Sequence, residues 1–187
     1  LDQGALTMAT TSARAFAVTP PPAYAWMWLV AMGVLLPACI TAVLLLTGDP
    51  PQMAGIVPAL VILPGVFAML ALAMKRRGVE LQDGTLDVRA ALFRQRVAVA
   101  QLDLDRARIV DLAERTELRP VVKTGGMSLP GFHAGRFRLR EKFARAFCLL
   151  TDRRRVLWLP LRDGKDQLLI SLEHPQALLD ALKAGRG

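Results

Sequence analysis

The chain has 187 residues, a formal net charge of +8, and a composition that is 53% apolar and 21% charged. Two cysteines and two histidines, with no CxxC or HExxH spacing, exclude a disulfide scaffold and leave no metal-ligand pattern. The averages hide a division: Asp2, Arg14 and Asp49 are the only charged side chains before Lys75, so 23 of the 24 Lys and Arg lie from Lys75 onward.

Residues 1–22 read as a flexible arm, rich in Ser, Thr and Ala and ending in Pro20-Pro21-Pro22. Met8, followed by Ala-Thr-Thr-Ser, is the expected natural start. A helical hairpin is expected over residues 23–77. A membrane-spanning helix needs about 20 mostly apolar residues, and two uncharged stretches supply them, at about residues 24–46 and 53–74. Tyr24, Trp26 and Trp28 cluster at the mouth of the first span, where amphipathic rings favour the headgroup zone. The connection Thr47-Gly48-Asp49-Pro50-Pro51-Gln52 is short and turn-rich, so the spans run antiparallel. Pro37, Pro58 and Pro64 lie inside them, as membrane helices tolerate. Ala38/Ala42, Gly55/Ala59 and Ala68/Ala72 place small residues four apart, which permits close helix packing. Lys75, Arg76 and Arg77 end the second span, and the hairpin loop has no Lys or Arg. The positive-inside rule then predicts that both termini are cytoplasmic.

Residues 78–187 read as one cytoplasmic domain of mostly period-two pattern. Val79–Leu81 and Thr85–Ala90 flank the turn former Asp83-Gly84 and predict a hairpin. Arg96–Ala100 and Arg106–Leu112 are the next expected strands. Arg136-Phe137-Arg138-Leu139-Arg140 alternates cleanly, with three arginines on one face. Ala146–Thr151 and Val156–Leu161 are expected to form a hairpin across Asp152-Arg153-Arg154-Arg155, and Gln167–Leu172 the last strand. Pro175 then opens a helix with an apolar stripe that Gly185 ends.

The segment Lys123-Thr124-Gly125-Gly126-Met127-Ser128-Leu129-Pro130-Gly131-Phe132-His133-Ala134-Gly135-Arg136-Phe137 resembles the Gly-rich, Pro-Gly-containing loop of bacterial pleckstrin-homology-like domains. Leu150-Thr151-Asp152, Leu168-Leu169-Ile170-Ser171 and His174-Pro175-Gln176-Ala177-Leu178-Leu179 resemble the C-terminal half of that family. The likeness covers about residues 77–184. It implies a bent, seven-stranded antiparallel barrel or sandwich capped by the C-terminal helix; with the two transmembrane helices read from the uncharged stretches, the expected fold class is an α+β membrane protein. It also implies a recognition module. The family's phosphoinositide site uses basic residues around the first hairpin loop, where this chain has Gln82-Asp83-Gly84, so that site is not carried over.

The residues leave several alternatives open. Gly125, Gly126, Pro130, Gly131 and Gly135 form either an anion-cradling loop or a structural bend, and the bend is favoured because no GK[ST] ending or helix follows. Arg136, Arg138 and Arg140, with Arg153, Arg154 and Arg155, form either a basic binding surface or a solvated strand face. Arg89, Arg94 and Arg96 would add to such a surface. Ser128 and His133 match no nucleophile-base motif, and no catalytic constellation, cofactor or nucleic-acid module is expected. The expected function is a membrane-anchored interaction module of a bacterial inner membrane, docking another membrane or membrane-associated protein. The alternative is recognition of anionic phospholipid headgroups by the basic surface. In either case the lipid bilayer is a partner.

Overall fold

The structure, a computed structural model, describes residues 14–46 and 53–185, without the side chains of residues 44, 45, 53–61 and 64. The expectations for Met8, for the loop at 47–52, and for the packing of Pro58, Pro64 and Gly55/Ala59 lie outside the described residues.

Residues 14–18, expected in a flexible arm, are part of a sheet. Arg14–Phe16 forms strand β1 and pairs antiparallel with β2, Arg77–Gln82. Val18 bridges Leu172, and the Glu173 N–H donates to the Ala17 carbonyl at 3.1 Å. Phe16 and Val18 lie against the main core, so two apolar side chains and a few ladder bonds order a segment whose composition reads as coil.

The first long helix is α1, Ala23–Val30, continued by a wider π-helical stretch, Ala31–Leu35, and by α2, Leu36–Leu46. Pro37 explains the widening. It has no N–H to give, and its ring crowds the carbonyl four residues back, so the turn before it is displaced. The Leu36 N–H reaches the Ala31 carbonyl instead. Helix α3, Met53–Lys75, returns beside it. The two approach tightly at Gly33, where a Cβ would meet Phe67 Cδ2 at 2.5 Å. By length and composition one helical stretch among the described residues, Ala23–Val43, suffices to cross a membrane; the described apolar part of α3, Gly65–Lys75, is shorter.

The strands form a two-sheet sandwich. One sheet has the order β1-β2-β3-β4, with β3 Thr85–Ala90 and β4 Phe93–Ala98. Asp83 and Gly84 both adopt positive φ, +48° and +67°, which is the mirror-image turn that a two-residue hairpin needs. The other sheet is built from β5 Arg108–Val110, β6 Pro120–Leu129, β7 Phe132–Leu139, β8 Arg145–Leu150, β9 Val156–Pro160 and β10 Asp166–Ser171. Its order is β5-β9-β10-β8-β7-β6. Helix α4, Pro175–Ala184, closes the main core through Leu178, Leu179 and Leu182.

Two expectations are corrected here. The sandwich has ten strands among the described residues rather than seven, and it is not purely antiparallel, because β10 runs parallel to β8. Strands β8 and β9 are not a hairpin: β10 inserts between them, antiparallel to β9. These three strands are buried along most of their length. Their alternate residues serve two cores. Phe147, Leu149, Leu157, Leu159, Leu168 and Ile170 face the main one, while Cys148, Leu150, Val156, Trp158 and Leu169 face a second one closed by Leu112 and Leu118.

The main core does not end at the sandwich. Ala25 and Leu29 of α1 and Ala73 and Met74 of α3 belong to the same buried cluster as Val79, Val88, Phe132 and Ala134. The helices and the sandwich therefore share one hydrophobic interior, and β2 begins two residues after α3 ends.

Candidate functional site

The basic triplet sits at the junction of helix and sheet. The Arg77 guanidinium donates to the Met74 carbonyl at 2.8 Å, and burial pulls its pKa down from the ordinary arginine value. The Ala91 N–H donates to the Arg76 carbonyl at 2.8 Å, so the β3–β4 turn, with exposed Leu92, also lies at this end. The three aromatics expected as one belt behave differently. Tyr24 and Trp28 are exposed, whereas Trp26 packs against the core.

The Gly-rich segment is not a loop but the hairpin β6–β7, turning at Pro130-Gly131. Gly126 and Gly135 face each other, and a Cβ on Gly135 would lie 2.6 Å from the Gly125 carbonyl oxygen and from Gly126 Cα. Gly135 also has φ +113°. Close backbone approach, together with register shifts between Pro120 and Val122 and between Lys123 and Gly125, accounts for the glycines. The same register sets Ser128 opposite His133, with Oγ and Nδ1 2.9 Å apart. Burial, and then the neighbouring Arg153 charge, hold the His133 pKa below its ordinary value.

The six candidate arginines do not form one surface. Strand β7 pairs His133 with Leu150 at the helix-proximal end and Arg138 with Arg145 at the far end. Five strand residues separate these pairs, about 17 Å. Arg153 and Arg154 follow β8 and line a helix-proximal cleft of about 580 Å³ with Thr19, Pro22, Tyr24, His133 and Thr151. Arg136 and Arg138 line a different cleft of about 370 Å³, between β4 and β7, where Arg145 pairs with Asp166 at 2.8 Å. Arg140 and Arg155 are exposed and line neither.

Arg89, Arg94 and Arg96 are also not a free basic patch. They surround Asp87, with bonds from Arg94 Nε to Asp87 Oδ1 and Oδ2 at 2.8 and 3.0 Å, and Arg89 also reaches Glu80 at 2.8 Å. The hydrogen bond from Arg94, then the surrounding positive charge, hold the Asp87 carboxyl below the usual range against its partial desolvation.

At the far end is a groove of about 610 Å³ that sequence reasoning did not assemble. Trp158 forms its floor, with the Arg108 guanidinium 4.9 Å and the Arg106 guanidinium 5.8 Å from the ring centre. Arg138, which also lines the neighbouring cleft, adds positive charge with Lys142, Arg145 and Lys165, against Glu117 and Glu141. Phe143 stands at the rim, 60% exposed, on a turn where Lys142 and Phe143 both adopt positive φ. Its parts come from β5 and the residues before it, the turn at Thr116–Leu118, β7 and β8 with the turn between them, β9, and β10 with the turn before it, so no single sequence motif marks it.

Residues 77–185 match the family described as Bacterial PH domain. No curated protein and no solved structure matches the chain.

Proposed function

The chain belongs to the bacterial PH domain family, and from that membership we propose that it is a membrane-anchored interaction module whose sandwich docks a protein partner at the cytoplasmic face of a bacterial inner membrane. The observation that carries the anchoring is exposure. Within the apolar stretch Ala23–Val43 the protein itself buries only Ala25 and Leu29, whereas a core helix of a soluble domain would be mostly covered. Met27, Leu35 and Ile40 on α1–α2, and Ile62, Met69 and Leu72 on α3, present a further apolar surface that water would disfavour. On this reading α3 is the second span, and Lys75, Arg76 and Arg77 keep both termini in the cytoplasm.

The far-end groove is the docking surface. Its excess of positive charge and exposed Phe143 suit an acidic partner segment carrying an apolar anchor. Purification of the full chain in mild detergent, followed by identification of copurifying proteins, tests this directly. A specific membrane partner that is lost on Phe143→Ala with Lys142→Gln supports docking through the groove. Retention of the partner by that variant refutes it. A reporter fused to the C-terminus tests the topology, and activity on the periplasmic side would refute the orientation.

A further inference from the structure

Strand β4 is an edge of the four-stranded sheet, and among the described residues its strand partner is β3 alone. The turn Ala91-Leu92 makes Ala90↔Phe93 the closing pair of a two-residue hairpin, and hydrogen-bonded pairs then alternate along the ladder. Phe93, Gln95 and Val97 therefore turn their backbone groups to β3, while Arg94, Arg96 and Ala98 turn theirs outward. Among the described residues no backbone bond from elsewhere in the chain reaches these three. Their side chains are exposed, and no bulge twists the edge away.

The cleft of about 370 Å³ lies beneath this edge. Phe147 and Leu168 of its floor belong to the main core, as does Val97 of β4. Strand β7 shows why the cleft exists. Phe132, Ala134, Arg136 and Arg138 share one face of it, because successive residues alternate. The first two are buried in the main core, and the last two are exposed. The inner face of the six-stranded sheet thus runs out from under β4 and changes there from apolar to arginine. Neither Arg136 nor Arg138 makes an ion pair among the described residues.

We propose that β4 takes up an extended segment of a partner protein as a further strand, with apolar side chains of that segment directed into the cleft. The six residues of β4 span about 20 Å, so the segment is about six residues long. Arg136 and Arg138 below it and exposed Arg96 beside it make the surroundings positive, so its other residues are acidic. A second copy of this chain is disfavoured, because its β4 would set Arg94 and Arg96 against the same pair. The inference goes beyond docking in the far-end groove: the edge is a separate surface, although Arg138 and Arg145 line both hollows.

The probe is a blocked hexapeptide alternating valine with glutamate, and its control alternates valine with lysine. Binding to the full chain in mild detergent is read by fluorescence anisotropy, with amide exchange followed over residues 93–98 and 140–145. The glutamate peptide should bind and slow exchange over 93–98. N-methylating all its valines or all its glutamates blocks one edge of the peptide at a time, so one change should abolish binding and the other keep it. Ala98 has φ −66°, which proline also adopts, and its N–H points away from β3. Ala98→Pro should weaken binding about fivefold, the scale of one backbone hydrogen bond, and leave the thermal midpoint of the free protein unchanged. Should that variant not fold, the methylated pair decides. Phe143→Ala with Lys142→Gln should bind the peptide as the parent does, which separates this edge from the groove. Protection over 140–145 instead of 93–98, equal binding of the lysine peptide, equal effects of the two methylations, or no binding overturns the proposal. So does protection of 93–98 that rises with protein concentration alone, which assigns the edge to a second copy.

Discussion

The hydroxyl end of Tyr24, on the first turn of the long helix, lies against Gly131, the tip of the β6–β7 hairpin. A Cβ at Gly131 would fall 2.6 Å from the Tyr24 ring carbons, and Gly131 has φ +75°. The ring at the mouth of the span and the Pro-Gly turn of the sandwich are thus one contact. Gly131→Ala should cost about 1–3 kcal/mol, from backbone strain plus displacement of the ring. Tyr24→Ala should recover the second part and leave the first. Thermal unfolding of the two single variants and the double variant measures this, and strictly additive losses would show that the contact is not made.

The Gly33–Phe67 approach makes a parallel prediction inside the hairpin. Gly33→Ala should destabilise helix packing by about 1–3 kcal/mol, the range for overpacking a close contact. Most of that loss should vanish in a Phe67→Ala background, because φ at Gly33 is helical and only the ring is in the way. Unfolding in detergent reads both. A Gly33→Ala protein as stable as the parent would mean the helices are further apart.

Asp87 is the hub of the outer face of β3. Asp87→Asn should lose about 1–2 kcal/mol, a charge-assisted hydrogen bond discounted for half-exposed arginines. Its carboxyl is held below the ordinary value, so its contribution is present above the unfolded carboxylate pKa of about 3.9. That contribution is lost as the pH falls through the lower folded value. The acid limb of the stability curve should flatten in Asp87→Asn. An unchanged acid limb would place the titration elsewhere.

His133 predicts a second, milder pH dependence. Burial and Arg153 lower its pKa in the folded protein, so the unfolded chain binds the proton more readily. Stability should be full above the unfolded value of about 6.5 and decline as the pH falls below it toward the folded value. His133→Gln should remove this slope. Urea unfolding between neutral and mildly acidic pH checks it, and an equal slope in the variant rules His133 out as the cause.

The elements legible in the sequence are those set by local chemistry. Asp83-Gly84 specifies its turn, Pro175 and Gly185 bound α4, and the alternation around Phe137 predicts β7. What was not legible depends on partners far along the chain. β8, β9 and β10 are nearly continuous apolar runs, and such runs carry no period to say which strand is adjacent. Proximity in sequence suggested a β8–β9 hairpin, but two cores, one on each face, are satisfied with β10 between them. β1 was hidden because three residues in a Ser- and Ala-rich arm carry no pattern of their own. The candidate arginines looked like one surface because alternation gives a face and not a position along it. The groove over Trp158 gave only one signal, Arg138, since its walls are brought together by β9 pairing with β5.

The pairing of β1 with β2 determines how force reaches the sandwich. The chain enters the helices from β1 and leaves them into β2, and these two strands are neighbours. A pull on the helical hairpin therefore reaches two paired strands of the same sheet. It is resisted by the β2–β3 ladder, where six residue pairs from Arg77↔Ala90 to Gln82↔Thr85 share the load at once. The shared buried cluster of Ala25, Leu29, Ala73 and Met74 with Val79 and Val88 backs that ladder, so helices and sandwich are coupled through a core as well as through a strand.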